Sequence, residues 1–310
     1  MLVEDLSSAP NPQFSRPGWR DQNGSWLFRF DDDDVGLAER WYANPERIDG
    51  SITVPYPPES PLSGVGDRGY HRVLWYARTL DLGSLADGEH QLLQFGAVDF
   101  QATVWVDGAW VGSHVGGQTP FACDITDALD PARDRHVVVV RVEDDPVNIE
   151  QPRGKQEWLP DLHVIWYHRT SGIWQSVWTE TAPAARILYT RWRFDPARWL
   201  VDYEIELSRV PEEGSTLSIE LEHDGDPLVR LTVTAMTRVI AGQLPVNRGG
   251  RHIHPNDLLW TMDRPTLIGA TLTLKGSAVE DVVQTYLGLR TITLSDRRFR
   301  INGRDVFLRF

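Results

Sequence analysis

The sequence predicts an all-β protein built as two successive sandwiches. Three observations lead there. Short apolar runs recur roughly every 8–12 residues with turn residues between them, the spacing of a sandwich, jelly roll or barrel. No stretch of ten or more residues carries the 3.6-residue apolar period of a surface helix. The texture changes once, at Thr181-Ala182-Pro183-Ala184-Ala185. Before that point the loops are long and rich in Pro, Gly and aromatic residues. After it the strands alternate cleanly.

In chain order, Val73–Leu80 reads as a strand, followed by Leu92–Gly96 and Ala102–Val106. Asp107-Gly108 then joins Ala102–Val106 to Ala109-Trp110-Val111, and a two-residue Asp-Gly link between apolar runs is a strong hairpin signal because both residues tolerate positive φ. Ile125–Leu129 reads as one short turn. His136–Val142 is continuously apolar rather than alternating, which predicts a strand covered on both faces. Beyond Ala185 the expected strands are Leu200–Leu207, Thr216–Leu221, Leu228–Val233, Thr271–Leu274 and Asp281–Tyr286. Their alternation puts one face in a core and one in water. About 105 residues with some seven strands is the size of an immunoglobulin-like sandwich. A second hairpin signal, Asn302-Gly303, lies between Arg298–Ile301 and Arg304–Leu308. An apolar hairpin with nothing to cover it suggests that the polypeptide continues into a further domain.

Charge narrows the function. Lys plus Arg number 31 against 44 Asp plus Glu, a formal charge of −13, which argues against a nucleic-acid partner. The single cysteine, Cys123, allows no internal disulfide and no thiolate metal cluster, and it reads as a small buried hydrophobe. No apolar run reaches the roughly 20 residues that cross a bilayer, and the start of the chain lacks the pattern of a secretion signal. The expected compartment is the cytoplasm. The 13 Trp are several times ordinary usage. Most should fill the space between sheets, and a minority could stack on sugar rings.

Other clusters have bland readings. Asp31–Asp34 is expected to be a solvated, self-repelling loop, with a cation site as the alternative. Glu143-Asp144-Asp145 ends a strand and is expected to support a neighbouring loop through hydrogen bonds. His252-Ile253-His254 could set two imidazoles on one side of a strand, but lacks a third ligand. No metal and no organic cofactor is expected. There is no Gly-x-Ser-x-Gly elbow, phosphate loop or dinucleotide fingerprint.

Several segments, taken in order, resemble glycoside hydrolase family 2, the family of β-galactosidases, β-glucuronidases and β-mannosidases. They are Val54–Gly64, Trp75–Arg78, Phe95–Phe121 (with Val104-Trp105-Val106-Asp107-Gly108 inside it), Arg153–Trp158, Arg169–Trp178, Tyr286–Arg290 and Ile301–Arg309. The resemblance implies a galactose-binding-like jelly roll over 1–182, an immunoglobulin-like sandwich over 183–293, and in 294–310 the lead-in to a (β/α)8 catalytic barrel. It also implies that the chemistry lies in that barrel. A retaining glycosidase uses two carboxyl groups about 5–5.5 Å apart. In this family the acid/base glutamate follows an Asn, and none of the seven Asn here precedes Glu. No catalytic residue is therefore assigned, and the chain alone is expected to be inactive.

The long polar and aromatic stretch from Gln151 to Trp178 is the place to look for ligand contacts, since loops on a rigid sandwich carry function. The resemblance makes Asp161, His163, Trp166, Tyr167 and Arg169 candidates for the rim of the sugar pocket. Lys155, Gln156 and Trp158 would brace the loop and the domain interface, a role also open to Arg169. Some family members carry an Asp five residues before the Ser/Ala-Gly-Ile segment, where it contacts a sugar hydroxyl or sodium. Trp166 stands there in this chain. Gly172, Ile173 and Trp174 read as strand and core. The expected function is a non-catalytic N-terminal portion of a β-glycosidase that braces the barrel and shapes substrate access. The expected partners are a C-terminal barrel, a β-linked carbohydrate and, as an open case, a second copy of the chain. The alternative is a stand-alone carbohydrate-binding module, which would show measurable affinity for a glycan.

Overall fold

The computed structural model describes residues 8–159, 161–246 and 255–309; His252 and His254 lie outside them. Two compact units are present. One is Gly18–Thr181, and the other joins the segment ending at Pro17 to the chain from Ala182 onward. Among the described residues the helical segments are all short 3-10 turns, and none is long and apolar enough to cross a membrane.

The first unit contains β1 (Arg20–Asp21), β2 (Gly24–Phe30), β3 (Gly50–Val54), β4 (Val73–Asp81), β5 (Glu89–Phe95), β6 (Val98–Asp99), β7 (Gln101–Val106), β8 (Ala109–Val115), β9 (Phe121–Asp124), β10 (Arg135–Glu143), β11 (Gly172–Ile173) and β12 (Val177–Pro183). A six-stranded sheet in the order β3-β2-β4-β10-β7-β8 faces a four-stranded sheet in the order β1-β12-β5-β9. Leu74, Tyr76, Val104, Val138, Val140 and Val142 from the first meet Leu93, Phe95, Cys123 and Val177 from the second in one core. Cys123 is thus the small hydrophobe expected, and burial pushes its thiol up to about 11.

The continuous apolar run of β10 has the cause anticipated. Val138, Val140 and Val142 face the inter-sheet core, while Val139 on the opposite face joins Trp41, Ile48, Val73, Trp75, Ala77 and Trp105 in a second cluster. Trp75 and Trp105 stack with centroids 5.8 Å apart, and Tyr42 stacks on Trp105 at 5.2 Å. The 3-10 turns Trp41–Ala43 and Pro45–Arg47 cover this outer face. The acidic run that feeds them is solvent-exposed as expected at Asp32, Asp33 and Asp34, but not at Asp31. The carboxylate of Asp31 is buried and accepts the Trp75 indole N–H at 2.9 Å and the backbone N–H of Val35 and Gly36 at 2.9 Å. Asp34 pairs with Arg141 at 2.7 Å, and Asp32 with His71 at 2.8 Å. Nearby donors offset the self-repulsion that the sequence alone suggests.

In the β7–β8 hairpin, Asp107 and Gly108 take φ of 49° and 82°, as the Asp-Gly signal requires. The short turn expected near Ile125 is a 3-10 segment, Thr126–Ala128.

The second unit holds β13 (Ile187–Asp195), β14 (Leu200–Leu207), β15 (Thr216–His223), β16 (Asp226–Thr234), β17 (Val239–Pro245), β18 (Ile268–Lys275) and β19 (Glu280–Leu287). Three of them form a sheet in the order β13-β14-β17 and four in the order β16-β15-β18-β19, the seven-strand sandwich anticipated. Alternation works as expected: Val201, Tyr203, Ile205 and Leu207 of β14 are buried while their neighbours are not. The segment before Pro17 pairs with this unit, through reciprocal backbone bonds between Ser15 and Gln284 at 3.0 and 2.8 Å. Arg16 donates to both carboxylate oxygens of buried Asp281, at 2.7 and 3.1 Å, and to the Ile187 carbonyl at 2.6 Å. A small antiparallel sheet of β20 (Ile292–Ser295), β21 (Arg298–Ile301) and β22 (Arg304–Asp305) follows, turning at Asn302-Gly303 with φ of 51° and 75°.

Candidate functional site

The long segment between Glu143 and Gly172 leaves the first sandwich where β10 ends and returns as β11, which pairs with β6. Its footing is a set of buried carboxylates. Glu59 accepts the Ser171 hydroxyl at 2.6 Å and the Ser171 N–H at 3.2 Å. Asp144 accepts the Gln151 side-chain amide at 2.5 Å. Asp99 accepts the Gln156 amide at 2.8 Å, and the carbonyl of that same Gln156 side chain accepts the Thr170 N–H at 2.8 Å. One glutamine therefore ties both limbs of the loop to the sheet.

Burial raises the pKa of Glu59 and Asp144 against the lowering effect of their hydrogen bonds. Asp99 is pushed up to about 7, by burial first and then by the neighbouring charges of Asp144 and Glu59. Two glycines make room. A Cβ on Gly117 would lie 2.0 Å from Asp99 Oδ1. Gly172, at φ 73°, would bring a Cβ within 2.0 Å of the Tyr76 hydroxyl.

Glu157 organises the outer half of the loop. Its carboxylate accepts the backbone N–H groups of Trp158 at 2.8 Å, Leu159 at 3.0 Å and His163 at 2.9 Å, and it also bonds the His163 ring Nδ1. These donors hold the carboxyl down at about 2, although burial opposes them. The Glu157 N–H donates to the Tyr167 carbonyl at 2.7 Å, and the Tyr167 N–H to the Lys155 carbonyl at 3.0 Å, so the two limbs pair as a short ladder. Trp158 is packed edge-on by Trp166 at 5.0 Å and by His163 at 5.1 Å, with the Arg153 guanidinium over its ring at 4.6 Å. The Tyr70 hydroxyl donates to the Trp158 carbonyl at 2.5 Å.

The residues singled out from the sequence separate on this frame. Gln156 makes its contacts through its side chain, and Trp158 through its ring and backbone. Lys155 is exposed and contributes its carbonyl. Arg169 is buried, donates to the Gly69 carbonyl and lies 4.1 Å from the Tyr70 ring centroid, which is a bracing geometry. Trp166 and His163 are half-buried against Trp158, whereas Asp161 and Tyr167 are exposed. These five do not surround an open pocket. Crevices beneath the loop, lined by Asp99, Asp144, Gln156, Glu157 and Arg169 among others, enclose about 10 Å3 each. That is room for one water and not for a sugar.

Glu157 was missed as a site residue. A short acidic side chain between two limbs rich in N–H donors gives no periodic signal, and only the Glu-Trp pair within Arg153–Trp158 marks it.

The loop also exposes several aliphatic side chains. Ile149 is 90 % exposed, Val164 89 % and Ile165 68 %, with Val147, Leu159 and Leu162 also exposed. A braced loop presenting aliphatic side chains to water has the form of a docking surface.

Two antiparallel sandwiches, the first carrying such a loop, define an all-β protein of two compact units. Residues 56–183 match the family described as "Glycosyl hydrolases family 2, sugar binding domain". The chain is 26 % identical to a β-glucuronidase of Paenibacillus borealis, over 94 % of this chain and 48 % of that protein. It is 24 % identical to a β-galactosidase of Thermoanaerobacter pseudethanolicus, over 93 % of this chain and 36 % of that one. The solved Lactobacillus rhamnosus β-glucuronidase has the same fold, with a TM-score of 0.72 at 22 % identity, over 96 % of this chain and 48 % of that one. The chain thus spans about half or less of the length of these relatives. Its similarity to family 2 glycosyl hydrolases rests on the sugar binding domain matched by residues 56–183 and on the fold it shares with these relatives.

Proposed function

We propose that this chain is the non-catalytic N-terminal portion of a retaining β-glycosidase, and that its Glu143–Gly172 loop docks on the catalytic barrel and shapes access to the sugar pocket. The observation that carries the reading is the contrast within the loop. Its base is fixed by Glu59, Asp99, Asp144 and Glu157, while its outer surface exposes Ile149, Val164 and Ile165. Apolar area left in water forgoes about 25 cal/mol per Å2, and a rigid base holds that area where a partner surface could cover it. The substrate is a β-linked sugar, and the names of the relatives make an aryl β-glucuronide the first to assay, with a β-galactoside beside it.

The test is made in a polypeptide that carries this chain together with its catalytic domain. Replacing Ile149, Val164 and Ile165 by Ser should lower kcat/KM about tenfold or more, the factor that about 1.4 kcal/mol carries. The same substitutions in the 310-residue chain should leave its melting temperature unchanged. Unaltered kinetics would remove the docking role.

A further inference from the structure

A second concave site lies wholly within the second unit, at the seam where β13 and β19, the edge strands of its two sheets, come together. The groove measures about 830 Å3, within the range of small-molecule sites. Its walls include four aromatic side chains, Trp192, Phe194, Trp260 and Tyr286, and two cations, Arg193 and Arg290. No carboxylate lines it, in a protein with a formal charge of −13.

Two details give the groove a chemistry. First, the Arg290 guanidinium sits 4.4 Å from the Trp260 ring centroid. Trp260 in turn lies close against Gly288, where an added Cβ would meet its Cγ at 3.3 Å, and its carbonyl is held by the Asn302 side chain at 2.9 Å. A guanidinium resting on a fixed ring keeps its edge donors free, and those donors match the two oxygens of a carboxylate. Among the described residues neither Arg290 nor Arg193 pairs with an acidic side chain. Second, Trp260 and Tyr286 add aromatic surface to the same lining.

We propose that this groove binds an acidic saccharide, with a ring-borne carboxylate held by Arg290 and pyranose faces laid on the aromatic wall. The inference does not rest on the proposed function, since it concerns the other unit and involves no hydrolysis. Aromatic rings accept the C–H faces of any pyranose, so the aromatic wall supplies area and Arg290 supplies selectivity for the charged sugar.

The test is calorimetric titration of the 310-residue chain with a defined oligogalacturonate, with the matching neutral galacto-oligosaccharide and with benzoate. The expected result is saturable 1:1 binding of the oligogalacturonate that weakens with salt, and at least tenfold weaker binding of the neutral sugar. R290A and R290K should each lose about tenfold or more, the factor carried by a lost charge-assisted hydrogen bond. R290K is informative because it keeps the charge and removes the fork. W260A should lose affinity as well, and R209A, at an exposed arginine away from the groove, should bind like the parent chain. Melting curves confirm that each variant is folded. Absence of binding, equal affinity for the neutral sugar, or an R290A affinity matching the parent would overturn the proposal. Benzoate binding as tightly as the oligogalacturonate would overturn the saccharide assignment.

Discussion

Glu157 and His163, six positions apart in sequence, meet at a single carboxylate, which takes both the backbone N–H of His163, at 2.9 Å, and its ring Nδ1. Trp158 and Leu159 donate their N–H groups to the same side chain, so one glutamate replaces the backbone pairing that a strand or helix would otherwise supply. The loop is thereby an ordered structure rather than a tether, and its apolar residues hold fixed positions.

Replacing Glu157 by Ala should loosen this loop while leaving the sandwich intact. Three backbone donors would then have to find water. Limited proteolysis between Lys155 and Arg169 should speed up several-fold, with little change in the main melting transition. Because the folded carboxyl titrates near 2, below its ordinary value of 4.5, the order it provides is complete above pH 4.5 and is lost as pH falls through about 2. The parent loop should open in acid and the E157A loop should be open throughout. A variant as resistant as the parent at neutral pH would remove Glu157 from the account.

Asp99 has the opposite sign. Its folded carboxyl keeps its proton up to about 7, whereas the unfolded one releases it near 3.8. Between those values the folded state binds more protons, so the contribution of Asp99 to stability declines as pH rises. Asp99→Asn should flatten that decline. Denaturant unfolding of both proteins from pH 5 to 8 should show the difference moving in favour of the variant toward pH 8. Parallel profiles would contradict the assignment.

In the second unit, Arg16 and Asp281 form a two-point pair whose side chains are 5 % and 1 % exposed. Removing one partner of such a pair strands the other and typically costs about 3–5 kcal/mol. Arg16→Ala or Asp281→Ala should each lower the stability of this unit by that order, and the double variant should cost less than the sum. Losses below about 1 kcal/mol, the range of an exposed pair, would show that the segment is not anchored there.

Asp31→Ala leaves the Trp75 indole and the Val35 and Gly36 amides without their acceptor. A stranded buried donor costs about 1–3 kcal/mol, so the first unit should melt several degrees lower. An unchanged melting temperature would return Asp31 to the solvated loop that the composition of the run suggests.

The fold was legible where a local rule decides the structure. Asp107-Gly108 and Asn302-Gly303 turn because both residues accept positive φ, and β14, β15 and β19 follow a period of two. The continuous run of β10 correctly implied two covered faces. The candidate site was legible only as a place. Gln156 and Trp158 lie within the ordered segment, but the carboxylates Glu59, Asp99 and Asp144 act through partners as far as 112 residues away in sequence. Such pairings leave no periodic trace. The pairing of Arg16 with Asp281, separated by 265 residues, is hidden for the same reason.

The most direct test of the central claim is turnover by the purified 310-residue chain, assayed with an aryl β-glucuronide and an aryl β-galactoside at high protein concentration. The account predicts no hydrolysis above buffer for either substrate, because the two carboxyl groups of a retaining site are assigned to a barrel outside this chain. Hydrolysis that co-purifies with the chain and persists through a second chromatographic step would contradict it, and would require a catalytic pair within the two sandwiches.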